Sequence, residues 1–293
     1  MGNNSKTFVV TGATSGIGFA TAENLARNGA VVLGIGRSEE RCRQSQITLR
    51  QTTNNEDIFY LTADLGTQSG VRSAAEQVIT FLNARGQESL DGLVNNAGIF
   101  TWWMTLTEDG YETQWALNAL APFLLTRLLL PYLQKSQMSR VVTVSSDSHY
   151  GGFLNWTDLQ LRRHYNGLLA YQNTKMANVM FTVELNRQLS DQSPVHAFAA
   201  DPGLVKTGIG GKGTPGLVRW FWGVRSAGGT DATVPAAGIV YLLTEPSIQN
   251  SPAPYWKDCR SKQPARRAVN YESAMRLWNI LESQCELNQE NIK

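Results

Sequence analysis

Residues Thr7 to Thr11 read Thr-Phe-Val-Val-Thr, a β-branched and aromatic run that signals a buried strand. The run leads without a break into Gly12-Ala13-Thr14-Ser15-Gly16-Ile17-Gly18, and then into Phe19 to Asn28, which has helical character. This strand, glycine turn and helix constrain the fold more than any other feature. Glycines permit a tight turn and close backbone approach, and a helix N-terminus offers unpaired N–H groups to an anion. Gly12, Thr14, Ser15, Gly16, Ile17 and Gly18 are therefore the candidate phosphate cradle. Their spacing is Gly-x-x-x-Gly-x-Gly, not the Gly-x-Gly-x-x-Gly of the standard dinucleotide fingerprint. Glycines at such a turn can also serve turn geometry alone.

Strand and helix signals then alternate. Strands are expected at Val31 to Ile35, Ile58 to Thr62, Gly92 to Asn95, Arg140 to Ser145 and Val195 to Ala200. Helices are expected at Glu39 to Gln51, Ser69 to Ala84, Thr113 to Leu133 (one or two) and Ala170 to Gln188. The pattern predicts an α/β fold: a doubly wound parallel sheet of the Rossmann type. A single domain is expected, with residues 7–207 as core, 208–230 as a helical substrate lid and 231–293 as a C-terminal closing segment.

A chain of 293 residues can bury a sizeable core, and its net charge of +2 gives no reason to expect a nucleic-acid partner. Three scattered cysteines, Cys42, Cys259 and Cys285, suggest neither a disulfide framework nor a metal site. Without a run of 18 or more apolar residues or a signal-peptide pattern, the reading is a cytoplasmic protein. Met1-Gly2 hints at myristoylation, but Lys6 stands where that motif wants Ser or Thr, so an unmodified terminus is expected.

Ligands of doubly wound sheets bind beyond the carboxyl ends of the strands. The residues there are Gly12 to Gly18, Gly36-Arg37, Asp64-Leu65, Asn95-Asn96-Ala97-Gly98, Ser145-Ser146 and Asp201-Pro202-Gly203. On the expected helix Ala170 to Gln188, Tyr171 and Lys175 lie four apart and share a face. An ammonium held there favours phenolate over phenol, which tunes a tyrosine toward acid/base work near neutral pH. Alone, that spacing arises often by chance.

Together these motifs resemble the short-chain dehydrogenases/reductases: Thr-Gly-x-x-x-Gly-Ile-Gly at 11–18, Asn-Asn-Ala-Gly at 95–98, Ser146, Tyr171-x-x-x-Lys175 and Pro202-Gly203. The stretch Arg140 to His149, the long gap before Tyr171, Lys175 to Leu185, Tyr255 to Cys259 and Arg276-Leu-Trp278 are similar to the retinol dehydrogenase-like branch. The resemblance implies a catalytic set of Asn118, Ser146, Tyr171 and Lys175. Tyr171 would be the acid/base, Ser146 would bond the substrate oxygen, and Lys175 would hold the nicotinamide ribose and lower the tyrosine pKa. Asn118 would hold a water in the proton relay. It also implies cofactor contacts from Asp64, Leu65, Asn95, Ala97, Gly98, Tyr171, Lys175, Pro202, Gly203, Val205 and Thr207. The branch usually reads Asn-His-Leu-Gly-His-Phe where this chain has Asn118-Ala-Leu-Ala-Pro-Phe123. The N-terminal membrane anchor of several branch members is not seen either.

NAD-preferring proteins carry an acid after the second strand to bond the ribose 2′-hydroxyl. Here that position is Gly36, followed by Arg37, whose guanidinium suits a 2′-phosphate, so NADP(H) is expected. Asp64 would meet the adenine ring or cap a helix. Trp102, Trp103, Phe153, Trp156 and Trp220 are candidate walls of an apolar substrate pocket, each of them open to a core role instead. Trp220-Phe221-Trp222 could touch a membrane surface. His149 and His164 are read as loop or capping residues.

The function expected is NADP(H)-dependent interconversion of a lipophilic alcohol and its aldehyde or ketone, in the reductive direction. The alternative is a catalytically silent NADP(H)-binding sensor or scaffold. A small lipophilic substrate, no metal and a monomer or homodimer complete the expectation.

Overall fold

The computed structural model describes residues 5–189, 192–205, 230–249 and 251–287. Seven strands run parallel: β1 (Thr7–Thr11), β2 (Val31–Gly36), β3 (Ile58–Thr62), β4 (Gly92–Asn95), β5 (Ser139–Val144), β6 (Val195–Asp201) and β7 (Tyr255–Lys257). The short antiparallel β8 (Arg260–Ser261) closes the edge, in the order β3-β2-β1-β4-β5-β6-β7-β8. Order reverses between β1 and β4, which opens a crevice at their carboxyl ends. Strands β1, β2, β4 and β5 are buried throughout, as a sheet covered on both faces requires.

The two faces have separate cores. Leu25 of α1 (Gly16–Arg27), Leu49 of α2 (Glu39–Thr53) and Ile239 and Leu242 of α6 (Thr233–Thr244) pack against Phe8, Val10, Val94, Val142 and Phe198. The opposite face is covered by α3 (Gln68–Ala84), α4 (Thr113–Leu133), α5 (Gly167–Gln188) and α7 (Tyr271–Gln284). There Trp278 of α7 meets Phe123 edge-on at 5.0 Å between ring centres and also contacts Phe181. Arg127 bonds Glu282 at 3.1 Å and lies over the Trp278 ring.

The six expected strands agree with β1 to β6 within a residue or so, while β7 and β8 were not expected. Helix α1 begins at Gly16, earlier than Phe19, because the last glycines of the turn already wind into it. Helix α5 begins at Gly167, where the Asn166 side chain accepts the Leu169 N–H at 2.9 Å. Helix α4 is continuous but contains a π turn at Ala116–Leu120, just before Pro122, which has no N–H to continue the ladder. By length and hydropathy α4 could cross a membrane; 67% of that stretch is buried in the fold, so it is a core helix. The expected lid lies outside the described residues, apart from Thr230 at its end.

Candidate active site

The glycine turn sits at the β1/β4 switch point. Gly12 and Gly16 have φ of +65° and +55°, which side chains rarely adopt. A Cβ on Gly18 would collide with the Gly12 carbonyl oxygen and with Asn96 Nδ2. Thr11 Oγ1 accepts from the N–H groups of Asn96 and Ala97, both at 2.9 Å, and donates to the Val94 carbonyl at 3.2 Å. Asn96 Nδ2 donates to the Thr11 carbonyl at 2.9 Å. Ser15 caps α1 with no side-chain bond, and the first turn carries no acid. A narrow turn facing unshielded helix N–H groups fits a pyrophosphate.

Asn96, absent from the expected contact set, is thus the residue that ties the turn to β4. Asn95 is turned the other way, its Nδ2 donating to Thr126 Oγ1 at 2.9 Å within the core. Its side chain is therefore engaged within the fold, which leaves its backbone as the part able to meet a cofactor. Leu65 is likewise a core side chain. Asp64 Oδ1 accepts the Gly66 N–H at 2.9 Å, while Thr67 caps α3. Arg37 is exposed at the end of β2. A Cβ on Gly36 would stand 2.6 Å from Thr14 Cγ2 and 2.7 Å from Cys42 Sγ, so no carboxylate fits there. Arg41, one turn further on, donates from Nη2 to the Thr14 carbonyl at 3.3 Å and brings a second guanidinium to the turn. Its spacing of four from Arg37 was the signal available in the sequence.

The catalytic candidates converge where β5 meets α5. Ser145 Oγ donates to the Lys175 carbonyl at 2.8 Å, which docks the helix on the strand end. Ser146 lies close enough to Tyr171 to hold its phenol pKa down. Lys175 Nζ donates to the Val144 carbonyl at 2.9 Å and lies 5.5 Å from the Tyr171 ring centre. Asn118, within the π turn, accepts the Ile99 N–H at 2.8 Å and donates to the Ile99 carbonyl at 2.9 Å and to Thr174 Oγ1 at 3.3 Å. A Cβ on Gly98 would lie 3.2 Å from Asn118 Oδ1 and 3.8 Å from Lys175 Nζ, so Gly98 marks the gap between them. Both Asn118 amide hydrogens are engaged, and any relay water must find another partner on this residue.

In this structure burial, rather than Lys175, dominates the Tyr171 pKa. Burial pushes the phenol up to about 12, offset in part by Ser146 and reinforced by the Asp201 carboxylate. Burial also pulls the Lys175 ammonium down to about 8. Desolvation disfavours the charged form of each group. At neutral pH the Tyr171 phenol keeps its proton.

Aromatic residues approach Tyr171 from one side. Phe100, which the sequence reading overlooked, is edge-on to Tyr171 at 5.6 Å and to Trp102 at 4.8 Å. Trp103 is 66% and Phe153 61% exposed, so neither is a core residue. Phe153 N–H donates to Asn173 Oδ1 at 2.8 Å on the catalytic helix. Trp156 instead packs against the core under Arg276, 4.8 Å from the ring centre, and is better described as core cover than as a pocket wall. Pro202 and Gly203, the latter with φ of +68°, follow β6; Val205 pairs with Thr230. Thr207 and Trp220 lie outside the described residues.

The short chain dehydrogenase family model matches residues 6–216. This chain is a short-chain dehydrogenase/reductase. Human retinol dehydrogenase 14 is 35% identical over 94% of this chain and 85% of its own length. Human retinol dehydrogenase 13 is 34% identical over 93% of this chain and 82% of its own. Such identity across nearly the whole chain places it in the retinol dehydrogenase-like branch. A crystal structure of an uncharacterized Mycobacterium paratuberculosis protein superposes with a TM-score of 0.71 at 32% identity, covering 96% of this chain and 93% of that one. As a short-chain dehydrogenase/reductase it is an oxidoreductase for CH–OH and carbonyl groups.

Proposed function

We propose that this dehydrogenase/reductase uses NADP(H) and works mainly as a reductase of lipophilic aldehydes or ketones. The observation that carries the reading is the convergence of Ser146, at the end of β5, with Tyr171 and Lys175 on the helix that Ser145 docks there, the Tyr171 phenol keeping its proton at neutral pH. A carbonyl oxygen arriving between the two would accept from both. Ser146 orients that oxygen and Tyr171 gives it a proton as negative charge develops. Lys175 stands one helical turn away with its ammonium directed across the same corner. When bound, the nicotinamide supplies the hydride. Reduction starts from a neutral phenol and alcohol oxidation from a phenolate, so the raised Tyr171 pKa suits the reductive step at neutral pH, with the net direction set by the balance of reduced and oxidised cofactor.

Support for NADP(H) comes from the end of β2. The filled space at Gly36 excludes a carboxylate, and Arg37 and Arg41 flank the glycine turn. One charged hydrogen bond contributes about 1.5–3 kcal/mol, or roughly ten- to a hundredfold in affinity. Arg37→Ala is therefore expected to raise the NADPH dissociation constant by about ten- to a hundredfold, leaving that of NADH nearly unchanged. Equal losses for the two cofactors, or none, would remove the assignment. The acid/base role is tested by Tyr171→Phe, for which turnover should fall at least about a hundredfold with NADPH binding intact. Retained turnover would sink it.

Support for a lipophilic substrate comes from Phe100, Trp102 and the exposed rings of Trp103 and Phe153 near the catalytic helix. Retinoid, steroid and lipid aldehydes all fit that chemistry.

A further inference from the structure

The loop carrying Ser146 is fastened to a part of the chain beyond the family match, and His149 is the innermost fastening. His149 is fully buried, its ring lying against Tyr150 at 4.1 Å and Tyr255 at 4.6 Å between centres. Ala265 N–H points at His149 Nε2 from 3.1 Å, and His149 Nδ1 stands 2.7 Å from the Ser146 carbonyl oxygen. A backbone N–H can only donate, so Nε2 carries a lone pair and Nδ1 carries the proton. The ring therefore donates to Ser146, whose carbonyl also accepts the His149 N–H at 3.0 Å.

The neighbouring fastenings repeat the pattern. Asp147 is bonded by Tyr255 Oη at 3.2 Å, by Lys257 Nζ at 3.2 Å and by Lys262 Nζ. Both lysines also reach Asp201, at 3.4 and 3.8 Å, at the end of β6. Tyr150 Oη donates to the Gln263 carbonyl, and Arg267 Nη1 to the Gly152 carbonyl at 3.1 Å. The strap itself cannot drift, because Tyr255, Trp256 and Lys257 pair in register with Ala199, Ala200 and Asp201 of the sheet. The Ser146 hydroxyl oxygen, meanwhile, accepts the Ser148 N–H at 3.1 Å. Ser146 is thus fixed at its carbonyl by His149 and at its side chain by Ser148.

We propose that His149 is a positioning residue for Ser146: in its neutral Nδ1–H form it transmits the grip of the strap 255–267 to the carbonyl of the serine that orients the substrate oxygen. The inference rests on the reductase reading for its turnover arm. A displacement of the serine by about 1 Å is enough to lower turnover about a hundredfold.

The test uses the full-length enzyme with NADPH and a lipophilic aldehyde. Asparagine can place an amide N–H where Nδ1–H stands, and glutamine can place an oxygen where Nε2 stands. His149→Asn is therefore expected to keep most of the wild-type kcat, whereas His149→Gln loses about 10- to 100-fold in kcat with the NADPH dissociation constant unchanged. His149→Ala, if it folds, should fall with the glutamine variant. Equal kcat in the asparagine and glutamine variants, or losses that merely track their unfolding midpoints, would overturn the proposal. Independently of any substrate, ¹⁵N NMR of the imidazole should show a protonated Nδ1 and a bare Nε2; the opposite tautomer would overturn it as well. A wild-type enzyme inactive on every aldehyde would count against the reductase reading alone, and the NMR arm would still decide the clamp.

Discussion

Lys175 shows how far a residue type can be read from sequence and where that reading ends. The spacing to Tyr171 identified the pair, because the chemistry fixes both residue types and their separation on a helix. The direction of tuning was not legible, since it depends on how much water the fold removes from each group. The consequences can be measured. With Tyr171 held up to about 12 and Lys175 down to about 8, both are protonated below about 8. Carbonyl reduction should therefore be level with pH until about 8 and fall above it as Lys175 loses its proton. Alcohol oxidation should rise over the same alkaline range. A pH–rate profile in both directions checks this, and reduction that climbs above that point would contradict it. Lys175→Met should abolish turnover yet raise the thermal midpoint by about 2–4 °C, because it exchanges a buried ammonium for an apolar chain of similar volume. Calorimetry would detect the change, and a lowered midpoint would count against the desolvation argument. Phe100 escaped the sequence reading and Asn96 was read only as part of a motif, for a related reason: neither residue type announces chemistry, and only contact with Thr11 or Tyr171 gives it a role.

Among the elements, those with a strong period were legible and those without were not. Strands β1 to β6 are runs bounded by turn residues, and α3 has one apolar face, so sequence alone placed them. Strand β7 has three residues and β8 two, too short for any alternation to appear. Their hairpin turns through Asp258 and Cys259 at positive φ, without the glycine or asparagine that usually signals such a turn. Helix α6 is apolar on most sides and holds Pro235 and Gly238, which blur its pattern. The glycine turn is the element whose geometry is most exposed to a single change. Gly18→Ala would drive a methyl into the Gly12 carbonyl and Asn96, and such overpacking costs about 1–3 kcal/mol. Urea denaturation should show that loss, together with weakened NADPH binding in a fluorescence titration; an alanine variant with wild-type affinity would mean the turn is looser than described.

On the scale of the molecule, the fold gathers parts that are far apart in sequence into one crevice at the β1/β4 reversal. The order of the sheet brings Gly12 to Gly18 beside Asn96, and the end of β5 beside α5. The strap at 255–267 then closes on the serine loop from the far edge. The fold class was legible because it is written in local runs, and the proposed catalytic set is written in short motifs that the fold brings together. The strap was not legible, because its bonds to the serine loop join residues more than a hundred positions apart, and three of them end on backbone groups, which no residue type announces. Substrate class depends on the shape of the whole crevice, so it is the part of the account furthest from any motif. The most direct measurement is kcat/KM of the full-length protein for a series of lipophilic and small hydrophilic aldehydes, with NADPH and NADH side by side. The account predicts turnover of the lipophilic members, with NADPH preferred by about ten- to a hundredfold. Tight NADPH binding with no turnover of any member, or equal use of NADH, would contradict it.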